Sequence, residues 1–262
     1  MKLGFIGCGN MATAIVKGII NNSNTDGKDV LVFDTYKPAM DKLNSELGVT
    51  VCDTNEGVVN NCDVLFLAVK PNVLGSVLAD IDSSKPLIVS IAAGKELAFL
   101  EENIGADHAR IVRVMPNINA LVGEAICAYC YNEFVTDEDI KDVEMLLSCF
   151  GKCLHIEESQ FSIYSAIGGC APAFAYMFID SLARAGVKNG MKKDEALKIA
   201  AQTVYGSAKM ILENDQHPWK LIDNVCSPGG TTIEGVTSLQ ADGFENAVHN
   251  AVQKAFEKDK KL

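Results

Sequence analysis

Basic side chains are scarce relative to acidic ones: 23 Lys and Arg stand against 34 Asp and Glu, a formal net charge of −11. Such a field repels phosphate backbones and anionic headgroups at long range, so neither nucleic acid nor a membrane surface is expected as a partner. A long apolar run near the start is missing too. Met1-Lys2 precedes only a short apolar stretch before Gly7, Gly9 and Asn10, well below a signal-peptide core and the ~20 residues of a membrane span, and the expectation is a cytoplasmic protein. Of nine cysteines, only Cys127 and Cys130 form a CxxC pair. They lie in a run that reads as a strand, Ala125 to Tyr131, where positions three apart point to opposite faces, and no second pair completes a zinc set. No metal is expected, and the cysteines read as reduced, small buried hydrophobes. Internal repeats, low-complexity segments and a flexible linker are also lacking.

What is present is a chain of 262 residues, 48% hydrophobic and 22% charged, enough for two domains or one large one. The first half alternates β-rich runs (Leu3–Ile6, Val30–Asp34, Val49–Cys52, Val64–Val69, Leu87–Ala92, Ile111–Met115) with stretches of helical spacing, the order of a mainly parallel sheet covered on both faces. After a helix over Thr136–Phe150 and a last short strand at Cys153–Ile156, the remainder reads as helix. Leu197, Ala201, Val204, Ala208 and Ile211 share one face there. The expected fold class is α/β: a doubly wound, mainly parallel sheet over 1–157, then an all-α domain over 158–262. The many alanines of the second half suit either an ordinary bundle core or a subunit interface, and symmetric homodimers are the commonest assemblies.

Gly7-Cys8-Gly9-Asn10-Met11-Ala12 follows the first strand and opens a helix, the setting of a dinucleotide-binding turn. Gly7 permits the tight turn, Gly9 lets the backbone approach a pyrophosphate, and Ala12 lets helix and strand pack closely. The helix start offers amide hydrogens and the positive dipole end. Asp34 closes the second strand, where a carboxylate meets the adenosine ribose. It favours the free 2′-hydroxyl of NADH, whereas Thr35 and Lys37 suit the 2′-phosphate of NADPH, so the cofactor is NADPH or NADH. A Rossmann-like NAD(P)-binding domain is the reading.

Ser227-Pro228-Gly229-Gly230-Thr231-Thr232-Ile233-Glu234-Gly235 closely resembles the signature of the pyrroline-5-carboxylate reductase family. Ala68-Val69-Lys70-Pro71, Ser90-Ile91-Ala92-Ala93-Gly94, Arg113-Val114-Met115-Pro116-Asn117 and Ala185-Gly186-Val187-Lys188-Asn189-Gly190 match it as well. The resemblance implies a helical dimerisation domain, active sites near the subunit interface, and a homodimer or an assembly of dimers. It assigns cofactor contacts to Gly7, Cys8, Gly9, Asn10, Met11, Asn55, Ala68, Val69, Lys70, Pro71, Ala92, Ala93 and Asn224. Lys70 reads equally as a solvated strand-end lysine. The implied activity is NAD(P)H-dependent reduction of a five-membered cyclic imine carboxylate, 1-pyrroline-5-carboxylate, to L-proline.

For that substrate, Gly229 and Gly230 followed by Thr231 and Thr232 at a helix start present backbone amides to the carboxylate. The Thr232 hydroxyl is the family-matched group that hydrogen-bonds the ring nitrogen, and so the catalytic candidate. Asp215 sits where relatives can carry an acid near the substrate, or is a solvated carboxylate at a helix end. His108, His155, His217 and His249 read as structural. Where many relatives have Ser-Gly-Ser-Gly-Pro-Ala-Tyr, this chain has Gly168-Gly169-Cys170-Ala171-Pro172-Ala173-Phe174, three hydroxyls fewer. A β-hydroxyacid dehydrogenase, the nearest enzymatic alternative, needs a relay lysine that Gly168–Asp180 does not contain. A nucleotide-sensing protein without turnover is the alternative of another class.

Overall fold

The computed structural model describes residues 1–81 and 85–261. Strands β1 (Leu3–Ile6), β2 (Val30–Phe33), β3 (Thr50–Val51), β4 (Val64–Leu67), β5 (Leu87–Ser90), β6 (Ile111–Met115), β7 (Ala125–Tyr131) and β8 (Gly151–His155) form one sheet in the order β3-β2-β1-β4-β5-β6-β7-β8. All neighbours are parallel except β6 and β7, which run antiparallel. Helices α1 (Asn10–Asn22), α2 (Lys37–Leu47), α3 (Asn55–Val59), α4 (Pro71–Ala79), α5 (Leu97–Asn103) and α6 (Asp137–Ser148) make the crossovers. The order of the chain reverses between β1 and β4, which places a crevice beyond their carboxyl ends.

Alternation along each strand feeds two cores. Leu3, Phe5, Val64, Phe66, Leu87 and Val89 pack on one face of the sheet, and Ile6, Leu65, Leu67 and Ile88 on the other. Burial on both faces is why these runs are apolar without a polar alternate. Phe5 and Phe66 stack with ring centroids 4.6 Å apart. Cys127 belongs to the first core and Cys130 to a separate cluster around Phe161, the opposite-face arrangement that the spacing predicts. Thr136 and Asp139 build a reciprocal capping box at the start of α6, which fixes where β7 gives way to helix.

Boundaries shift where turns intervene. Val30–Asp34 ends as strand at Phe33, and Val49–Cys52 shrinks to Thr50–Val51, because Gly48 adopts a left-handed backbone that ends α2 immediately before it. The second half contains α7 (Phe161–Tyr164), α8 (Ala171–Lys188), α9 (Lys193–Leu212), α10 (Pro218–Val225), α11 (Thr231–Ala241) and α12 (Phe244–Asp259). The spacing does not predict α10, a short helix that Pro218 opens and the His217 side chain caps by accepting from the Trp219 amide. Between α7 and α8, Ser165–Cys170 forms a turn of π-helix. There the Gly168 carbonyl accepts from Asn117 Nδ2 at 3.0 Å, since Pro172, four residues on, has no N–H to offer.

The chain divides into two compact units, Met1–Gly169 with Lys258–Leu262, and Cys170–Glu257. The expected domain ranges break at 157/158, and their residues 82–84 and 262 lie outside the described ones. In the second unit the buried residues among those described are Ala183, Ala196 and Ala200. The face shared by Leu197, Ala201, Val204, Ala208 and Ile211 is largely exposed in the single chain. Among the described residues, one helical stretch, Glu158–Lys188, is long and apolar enough to cross a membrane by length and composition.

All nine cysteines are free thiols. Burial pushes Cys8, Cys62, Cys127 and Cys130 up to about 12, with the negative charge of Asp34, Asp63 and Glu158 adding to the rise at Cys8, Cys62 and Cys130 respectively. These four thiols are expected to resist iodoacetamide at about pH 8 until denaturant is added. Peptide mass spectrometry reads this, and modification of Cys127 in the folded protein would contradict the packing described.

Candidate functional site

In the first unit the turn after β1 is shaped by its glycines. Gly7 has φ +99°, and a Cβ there would lie 2.6 Å from the Ala68 carbonyl oxygen, so β1 and β4 end back to back only because no side chain intervenes. The Gly7 amide donates to the Phe33 carbonyl at 2.8 Å. Gly9 precedes α1, and a Cβ there would meet nothing within 4 Å. No side chain caps α1 and its first turn holds no acid, so its leading amides face open space with the positive end of the helix dipole behind them.

The Asp34 carboxylate is fixed by the backbone. Its Oδ2 accepts from the Cys8 amide and its Oδ1 from the Tyr36 amide, at 2.7 and 2.8 Å. Gly7, Asp34, Thr35, Asn55 and Val69 line one cavity of about 370 Å³. Asn55 opens α3, donates Nδ2 to Asp80 Oδ2 at 3.0 Å, and carries a buried Oδ1 without a donor. Ala68 and Val69 follow β4, exposed Lys70 precedes α4, and Pro71 begins it. Ala92 is buried and Ala93 exposed beyond β5. An open glycine cradle, an uncapped helix start, an anchored carboxylate and an orphan acceptor fit a dinucleotide.

In the second unit Gly229 takes a left-handed backbone, φ +66°. A Cβ on Gly230 would stand 2.3 Å from Ser227 Oγ. The expectation that the glycine pair itself offers free amides needs one correction: the Gly230 N–H closes the turn onto the Ser227 carbonyl at 3.0 Å. The available donors are those of the first turn of α11, where no side chain caps the helix. Thr232 and Asn224 line a second cavity of about 460 Å³ whose other walls include Met210, Ile211, Leu221 and Val225. Asn224 Nδ2 donates to Gln216 Oε1 at 3.3 Å. Asp215 is exposed in the connection before α10 and is not among the residues lining that cavity.

Sequence reasoning passes over several residues of the first cavity: Val73, Ser76 and Val77 on α4, and Asp80 just after it. Their spacing, 73, 76, 77 and 80, is that of a single helix face. The two valines make that face look like core. It also leaves Arg113 and Asn117 without a role. Arg113 pairs with Glu158 at 2.8 Å and lies over the Phe161 ring, 4.3 Å from its centroid, while Glu158 also accepts from the Leu97 amide. The Arg113–Asn117 segment therefore anchors residues 158–168 to the end of β6.

Comparison with known proteins matches the two ends of the chain to different family models. Residues 158–262 match the family model for pyrroline-5-carboxylate reductase dimerisation, and residues 2–94 the model for NADP oxidoreductase, coenzyme F420-dependent. The chain is 42% identical to the pyrroline-5-carboxylate reductase of Escherichia coli (strain K12), with 100% of this chain and 98% of that one covered. It is 39% identical to that of Methanosarcina acetivorans, over 100% and 97%. The crystal structure of Plasmodium falciparum pyrroline carboxylate reductase with NADP bound superposes with a TM-score of 0.89 at 38% identity, over 100% of this chain and 97% of that one.

The two turn glycines separate stability from binding. Gly7→Ala forces both a positive φ and a backbone clash and is expected to cost about 1–3 kcal/mol in chemical denaturation. Gly9→Ala meets no neighbour. It is expected to keep the wild-type denaturation midpoint yet weaken dinucleotide binding by roughly an order of magnitude or more. Full binding by Gly9→Ala would remove the open cradle from the account.

Proposed function

The chain belongs to the pyrroline-5-carboxylate reductase family, and from that premise we infer that it reduces 1-pyrroline-5-carboxylate to L-proline with NAD(P)H, the last step of proline biosynthesis. The observation that carries the reading is the presence in one chain of a strand-glycine-helix cradle in the first unit and of an uncapped helix start beside Thr232 in the second.

A reduced nicotinamide, when bound, supplies the hydride that the imine carbon accepts. Gly7, Cys8, Gly9, Asn10 and Met11 would hold its pyrophosphate through main-chain amides. Asp34 and Asn55 would take the adenosine ribose, with Ala68, Val69, Lys70, Pro71, Ala92, Ala93 and Asn224 along the remainder. The substrate carboxylate would sit on the amides that begin α11. Gly229 and Gly230 would let the chain turn tightly enough to bring those amides forward. The Thr232 hydroxyl both donates and accepts, so it can bond the ring nitrogen as neutral imine or as iminium. An iminium accepts hydride more readily than a neutral imine, so protonation of the ring nitrogen, in solution or in the site, supplies part of the activation. No strong acid is then required, and catalysis rests on alignment and fixed dipoles. Asp215 would act at most through the field it adds near the substrate.

The dimerisation match over 158–262 and the exposed apolar side chains of α8 and α9 support a homodimer. An assembly of such dimers belongs to the same reading, as does a break between cofactor and helical domains near 157. Asp180 and Arg184 pair along α8 at 2.5 Å, which favours a protein partner over lipid for that helix. Nine free thiols suit a reducing, cytoplasmic setting.

Steady-state assays following NADH and NADPH at 340 nm with pyrroline-5-carboxylate test the activity, and absence of turnover with both refutes it. Thr232→Ala is expected to lower kcat/KM roughly 10- to 100-fold with nucleotide affinity nearly intact; unchanged turnover would take Thr232 out of the mechanism. Asp34→Ser is expected to move the NADH to NADPH ratio toward NADPH, and an unaltered ratio would show that the carboxylate does not face the ribose.

A further inference from the structure

The cavity beside Gly7 carries a second acid. Asp80, at the C-terminal end of α4, lines the same space as Asp34 and Asn55, and among the described residues no Lys or Arg lines it. The Asp34 carboxylate is held by hydrogen bonds from two backbone amides, both of which must break for it to swing aside for a phosphate. Lys37, a candidate phosphate ligand by sequence, pairs with Asp41 at 2.8 Å and is absent from the lining.

Asp80 also decides which way Asn55 presents its carboxamide. A carboxylate accepts and never donates, so the bond to Asp80 Oδ2 must come from Asn55 Nδ2. That leaves Oδ1 as the free group, buried and without a donor among the described residues. An acceptor in that state is costly, and a ribose hydroxyl satisfies it by donating. NADPH keeps the 3′-hydroxyl as a donor, but where NADH has a 2′-hydroxyl it carries a phosphate that has no hydrogen to donate near neutral pH and adds negative charge beside two carboxylates.

We propose that Asp80 is a further specificity-determining residue of this site: it positions the Asn55 oxygen for a ribose hydroxyl and, with Asp34, directs the chain to NADH over NADPH. The proposal rests on the reading of this cavity as the adenosine end of the cofactor site.

The test is fluorescence titration of the full chain with NADH and with NADPH, without imine substrate, for wild type, Asp80→Asn, Asp80→Ala and the double variant Asn55→Asp with Asp80→Asn. Wild type binds NADH the tighter. Asp80→Asn, which keeps shape and drops charge, narrows the NADH to NADPH ratio by about three- to tenfold, mainly through gained NADPH affinity. Asp80→Ala, which frees the Asn55 amide, weakens NADH as well, and in turnover its loss falls on KM for the cofactor more than on kcat. The double variant reverses the direction of the hydrogen bond while keeping both an acceptor at position 55 and one negative charge, and it restores preference for NADH. Equal or tighter NADPH binding by wild type overturns the proposal, as does a ratio unmoved by Asp80→Asn. These titrations need no turnover, so failure to reduce the imine would sink the activity and leave this result standing.

Discussion

A chain carrying eleven excess negative charges that handles a carboxylate and a pyrophosphate must hold them by forces acting over one or two hydrogen bonds. In the proposed site the main chain supplies these where glycine removes obstruction. Gly9 before α1 and Gly230 before α11 are each followed by a helix start that no side chain caps. Hydrogen bonds to charged groups are worth about 1.5–3 kcal/mol each and a helix end adds a few tenths to one more. Distant carboxylates are screened beyond about 8 Å at physiological salt. On that reading local donors outweigh the distant field, and no arginine is required.

The two units differ in how far they satisfy their own burial. The first encloses its sheet on both faces, with Phe5, Phe66 and Phe150 fully buried. The second keeps Met177, Leu212 and Ile211 exposed and encloses only three alanines among its described residues. Helices gain most of their stability from packing an apolar face, and a unit with so small an interior relies on a further surface. Agreement with a dimerisation family model over 158–262 gives that surface its meaning. The Arg113–Glu158 pair and the Asn117–Gly168 bond then secure the entry into this region from the end of β6.

Much of this was legible in the order of residues. Strands with both faces buried betray themselves as unbroken apolar runs, and the sequence alone points to the Gly7–Ala12 turn and to Asp34 closing β2, of which Gly7 and Asp34 line one cavity. Other features depend on three-dimensional neighbours. Asp80 hides because Val73 and Val77 share its helix face and read as core, although only Val77 is buried there and Val73 is exposed. Within the π-helical turn Ser165–Cys170, the Gly168 carbonyl that Pro172 leaves free is taken by Asn117, some fifty residues upstream. The Gly230 amide looks available in sequence, yet the turn it sits in consumes it. Short helices such as α10 lack enough turns for periodicity to show.

The main-chain carboxylate site is tested most directly by a crystal structure of the chain with L-proline and oxidised cofactor. The account predicts the proline carboxylate about 3 Å from the amide nitrogens that open α11, with the ring nitrogen at the Thr232 hydroxyl. A carboxylate seated on a lysine or arginine side chain, away from residues 229–232, would contradict it.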